Sequence, residues 1–176
     1  MRQRDPLANP KPLIRRVYAY VAYRIGDGPE AEDVTNDVFE RALRYRASYD
    51  PSRGEPLTWL LGIARRCADD ALARPRLVSS DEAGDQASAQ DLEAEALRHL
   101  DLSDGLAALD ERSRELLALR YGADLRAREI GEVVGMRTNA VEVALHRALN
   151  QLRATLETTA EPQPPDLGES ATRAAG

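Results

Sequence analysis

The stretch REIGEVVGMRTNAVEVALHRALNQLR, Arg128 to Arg153, decides the fold. Its apolar residues recur at helical spacing on either side of a short break. Gly131 is small where two helices must approach closely, Gly135 supplies the turn four residues later, and Val141 re-enters the core six residues beyond that. Ile130, Val134, Met136 and Leu145 supply the remaining apolar contacts, and Thr138 is a suitable N-cap for the second helix. The pattern reads as a helix-turn-helix, although a generic helical hairpin has the same spacing. In a helix-turn-helix the second helix enters the DNA major groove and turns its start toward base edges. Candidates for that contact are Arg137, Thr138, Asn139, Glu142, His146 and Arg147, with Arg126 and Arg128 placed for phosphates. Glu142 repels phosphate, but a Glu can accept from cytosine N4.

Upstream of this pair, GLAALD and ERSRELLALRYG continue the helical periodicity, so residues 105–156 form one helical module. A second module lies nearer the start, across residues 10–76. In LIRRVYAYVAYRI, Leu13, Val17, Tyr20, Val21 and Ile25 share a face before Gly26-Asp27-Gly28 ends the helix. Pro29 then suits a first helical turn, and Ala31, Val34, Val38, Ala42 and Tyr45 form the next apolar stripe. Beside that stripe Glu30, Asp33, Asp37 and Glu40 recur at steps of three and four. Four carboxylates on one face read either as a solvated surface helped by the helix dipole or as a dock for a basic partner. After the turn-rich loop DPSRGEP, the helix LTWLLGIARRCADDALAR buries Leu57, Leu60, Leu61, Ala64, Ala68 and Leu72. Trp59, Arg65 and Arg66 lie off that stripe. Arginine near flat rings can hold single-stranded nucleic acid, while Trp59 could equally close a small core.

The charge is segmented. The 176 residues carry a net -6, but residues 1–76 hold 14 basic and 11 acidic groups and residues 105–156 hold eight and seven. The excess lies at 77–104, with one basic residue against eight acids, and at 157–176, with one against four. Both stretches have the composition of a flexible acidic linker and a disordered tail, so net charge alone does not exclude DNA binding. Of 24 basic residues only Lys11 is lysine, and arginine forks onto phosphate and base edges; codon bias of a GC-rich genome gives the same composition. The single Cys67 excludes an internal disulfide, and two histidines give no zinc cluster. No nucleophile and base pair or phosphate-cradling loop stands out, so the expectation is a non-enzyme without cofactor or metal. The absence of an apolar run of roughly 20 residues or a secretory signal points to a cytoplasmic protein without membrane insertion.

The order and spacing of the two modules resemble the extracytoplasmic-function, or group 4, sigma factors of bacterial RNA polymerase. AEDVTNDVF (Ala31 to Phe39) looks like the family's polymerase-binding segment, YDPSRG (Tyr49 to Gly54) like its loop before the promoter-reading helix, and TWLLGIARR (Thr58 to Arg66) like that helix. LDERSRELLALRY (Leu109 to Tyr121) and Arg128 to Arg153 look like region 4. The resemblance implies an all-α chain of two small domains, region 2 and region 4, joined by the linker. It makes Glu30, Asp33, Asp37 and Glu40 the dock for the clamp helices of core RNA polymerase, with the flap as a further contact. It assigns Tyr49, Ser52, Arg53, Trp59, Arg65 and Arg66 to the melted -10 strand and the helix-turn-helix to the -35 duplex. An anti-sigma factor is an implied partner besides promoter DNA. Fully extended, the 30 residues from 75 to 104 would span roughly 100 Å, more than two turns of DNA.

Two departures bear on specificity. Arg66 stands where the family has Asn, with Asp69 replacing an apolar residue nearby; and Ala140, Val141, Glu142, Val143 and Ala144 stand where it has Thr-Val-Lys-Ser-Arg. Glu142 and Ala144 support a competing reading, a sigma-like adaptor or antagonist that binds polymerase without productive promoter reading; a stand-alone helix-turn-helix regulator, which would need a dimer to bind paired half-sites, is the other.

Overall fold

The computed structural model describes residues 5–74 and 102–160, and among them there is no strand. Helix α1 runs over Pro10–Ile25, α2 over Pro29–Tyr45 and α3 over Pro56–Leu72, each with proline in its first turn, where the missing N–H leaves no helical bond unmade. α4 covers residues 102–107. α5, Glu111–Leu117, is extended by a π turn over Ala118–Gly122, and α6, Ala127–Val134, is followed by α7, Thr138–Ala160.

Local chemistry sets the ends. The Asp110 carboxylate accepts the Ser113 N–H at 3.0 Å and caps α5. The Glu129 carboxylate reaches back to the Arg126 N–H at 2.7 Å and starts α6. Gly135 closes α6 at φ +72, a left-handed conformation in which a Cβ is strained. A Cβ on Gly131 would lie 2.5 Å from the Met136 carbonyl oxygen, so the close approach expected there is real.

Several expectations are corrected. Thr138 is the first residue of α7 rather than its N-cap, and the Arg137 carbonyl accepts the Val141 N–H at 3.1 Å. α7 continues to Ala160, past the boundary drawn at 157, and α4 begins within the linker drawn to 104. The remainder of the linker and tail lies outside the described residues. Tyr45 and Leu72, read as core, are 55% and 37% exposed, each as the last residue of its helix.

The larger difference concerns the two modules, which share a core. α1 lies between them. Val17, Tyr20 and Val21 pack in the same cluster as Val38, Leu60 and Leu61 of the first module and Leu116, Leu119 and Leu125 of the second. A Cβ on Gly122 would meet the Ala19 carbonyl oxygen at 2.8 Å, so backbone approaches backbone across this seam. Arg24, 2% exposed, crosses it as well, 2.6 Å from Asp69 and 3.5 Å from Glu111. That pairing gives Asp69 a place: it neutralises a buried guanidinium, which an apolar residue would leave with less compensation. A smaller cluster of Leu106, Leu109, Leu117 and Ala148 ties α4 to α7.

Candidate polymerase and nucleic-acid interfaces

α2 turns Ala31, Val34, Val38 and Ala42 inward, which leaves Glu30, Asp33, Asp37 and Glu40 exposed on its outer side. Glu40 is held by Arg44 at 2.8 Å, one helical turn on. Asp33 and Asp37 make no ion pair with any described residue. The sequence reading passed over Leu43, which is 59% exposed on the same outer side, three residues after Glu40. A helical wheel places it off the apolar stripe, and that was the available signal.

The loop between α2 and α3 is built on Tyr49 and Asp50. Asp50 accepts the Ser52 N–H at 2.9 Å and the Ser52 hydroxyl at 2.7 Å, and these bonds hold its carboxyl below the ordinary aspartate range. Tyr49, expected at the DNA surface, is 5% exposed; its hydroxyl donates to the Gly54 carbonyl at 3.1 Å and its ring leans on Trp59 with centroids 5.6 Å apart. It supports the loop from beneath. Trp59 borders a hollow of about 260 Å³ shared with Ser48, Arg53 and Thr58, and another of about 360 Å³ shared with Tyr45, Ile63 and Arg66. Gly62 lines both, with nothing within 4 Å of where its Cβ would be. Ser52, Arg53 and Arg66 are exposed, and neither arginine is ion-paired among the described residues.

Arg65 is placed differently. Its guanidinium donates to the carboxylate of Glu115 and, at 3.0 Å, to the Val133 carbonyl, both in the second module. Glu115, 6% exposed, also accepts from Arg112 at 2.8 Å. The sequence reading missed Glu115, since a lone acid within an amphipathic helix carries no periodic signal. Arg65 therefore faces the seam, apart from Arg53 and Arg66.

On the second module most of the candidate residues are open to solvent. Arg126, Arg128, Arg137, Asn139, Glu142, His146 and Arg147 are exposed and Thr138 half-buried, while Val141 and Ala148 point into the core. Arg128 is loosely paired with Glu132 at 3.4 Å, and His146 shares a hydrogen bond with Asn150 at 3.2 Å. Arg137 and Arg147 make no ion pair among the described residues.

Comparison with known proteins agrees with this layout. Residues 11–77 match the family model for Sigma-70 region 2, and residues 105–154 match that for Sigma-70, region 4. The chain is 30% identical over 145 residues to the RNA polymerase sigma factor CarQ of Myxococcus xanthus, a match covering 80% of this chain and 83% of CarQ. It is 29% identical over 147 residues to the ECF RNA polymerase sigma factor BldN of Streptomyces coelicolor, covering 80% of this chain and only 56% of BldN. The fold is similar to the sigma factor RpoE in its complex with the anti-sigma factor NepR from Bartonella quintana, at a TM-score of 0.64 and 17% identity over 82% of this chain and 92% of that one. The chain belongs to the extracytoplasmic-function group of the sigma-70 family of RNA polymerase sigma factors.

Proposed function

We propose that the chain binds core RNA polymerase through the outer side of α2 and directs initiation to a restricted set of promoters. The loop over Tyr49 to Gly54 and α3 read the melted -10 strand, and α7 reads the -35 duplex. The observation that carries this is the coexistence on one chain of an acidic, outward α2 face and an open helix-turn-helix face of the opposite character. Glu30, Asp33, Asp37 and Glu40 supply charge for the polymerase clamp helices, and Leu43, three residues past Glu40 at the edge of that face, adds an apolar contact. Ser52, Arg53 and Arg66 contact the strand, and the hollows beside Trp59 receive an unstacked base. Tyr49 supports that surface without touching DNA. Arg65 joins the interface once the modules part and Glu115 releases it. The protein supplies binding energy and position, with catalysis left to the polymerase.

An anti-sigma factor is the second class of protein partner, as NepR is for the RpoE that shares this fold. No helix of the described residues is long and apolar enough to cross a membrane, and we place the activity in the cytoplasm, with the polymerase.

The docking assignment is tested by titrating core polymerase with the wild type and with Asp33→Arg/Asp37→Arg. Reversed charge at the centre of the dock is expected to weaken binding about tenfold or more, with helical content unchanged by circular dichroism. Equal affinity would remove α2 from the dock.

A further inference from the structure

Val143 is 52% exposed. It follows the buried Val141 by two positions, which at 3.6 residues per turn turns it about 200° away from the core. Val143 is therefore the outermost point of α7, in its second turn. Its neighbours one helical turn away are Asn139, Ala140, His146 and Arg147, and all four are exposed. A branched apolar side chain thus stands at the centre of a face whose edges carry hydrogen-bond donors. Nothing in the fold calls for it, because valine is a weaker helix former than alanine and touches no core residue from this side.

We propose that Val143 is a specificity residue that reads the C5-methyl group of a thymine in the upstream promoter element. The inference rests on the sigma-factor reading above and deepens it. In the major groove the thymine methyl is the apolar feature by which A·T differs from the other pairs, and small apolar side chains are its partners. The N-terminal turns of a recognition helix approach base edges most closely, and Val143 is the sixth residue of α7. Its two methyl groups close over the thymine methyl and exclude water, while Asn139 and Arg147 on either side are free to donate to flanking bases. Glu142, one position earlier, faces away from this contact by about 100°.

The test uses holoenzyme reconstituted from core polymerase and the full chain, on a promoter that it transcribes. Each thymine of the upstream element, on either strand, is replaced in turn by deoxyuridine, which removes the methyl and leaves every hydrogen-bonding group in place. Open-complex formation is measured for the wild type and for Val143→Ala. The expected result is one thymine whose replacement weakens the wild-type complex about fourfold, the worth of one buried methyl group, and has no effect with Val143→Ala. Val143→Thr keeps the shape and one methyl, and retains part of the dependence. An upstream element in which no thymine responds, or a response equally large with Val143→Ala, overturns the proposal while leaving the sigma-factor reading intact. Failure to obtain any promoter-specific transcript overturns that reading and this one together.

Discussion

Gly62 lies on the exposed side of α3 with open space where its Cβ would be. Glycine within a helix costs about 1 kcal/mol against alanine, so its presence here is not explained by stability. Gly62→Ala is expected to raise stability by about 0.5–1 kcal/mol, read from the urea midpoint, and to lower transcription because the added methyl projects between the two hollows beside Trp59 and narrows the room for a base. Increased stability with unchanged transcription would separate those hollows from the DNA. Asp110 acts in the opposite direction. Its bonds to Ser113 hold its carboxyl below the ordinary aspartate value, so the stabilisation is present above that value and is lost as pH falls through the lowered one. Asp110→Ala should cost about 1 kcal/mol at pH 7, and the gap from wild type should shrink when urea melts are repeated near pH 3. Single residues were legible in the sequence where backbone geometry dictates their type, as at Gly131 and Gly135. They were not legible where packing decides, as at Tyr49, which its own loop encloses, or where the helix starts one residue early, as at Thr138.

The helices were legible because apolar periodicity, proline starts and glycine stops are local signals. How the first module, α1 and α3, meets the second was not. That seam is made by the Arg65 to Glu115 pair, the Arg24 to Asp69 and Glu111 group and the close approach of Gly122 to Ala19, and none of these repeats along a helix. Glu115→Ala leaves Arg65 without its carboxylate and opens a gap between the modules. Because Arg65 is 30% exposed and keeps the Val133 carbonyl, the expected loss is about 2 kcal/mol rather than that of a fully buried pair. The same variant should bind a single-stranded -10 oligonucleotide more tightly than the wild type does, since Arg65 is then held at the seam by the Val133 carbonyl alone and leaves it more readily. Fluorescence anisotropy checks this, and weaker or equal binding would place Arg65 outside the DNA interface.

In the whole molecule the two modules are closed on each other around α1, while α2's acidic side and α7's outward face remain open. The composition predicts two modules joined by an acidic stretch, most of which lies outside the described residues. It could not anticipate their shared core, because the same apolar stripes serve contacts within and between modules. The closed form leaves the proposed polymerase dock and upstream reader open and holds Arg65 at the seam, so a role for Arg65 at the -10 strand, as proposed, requires the modules to part. The most direct measurement is transcription in vitro by purified bacterial core polymerase on pooled fragments of the source genome, with and without the protein. The account predicts protein-dependent transcripts that share both an upstream and a -10 sequence. Stable binding to polymerase without such transcripts would contradict it in favour of an adaptor or antagonist, and DNA binding without polymerase would contradict it in favour of a stand-alone regulator.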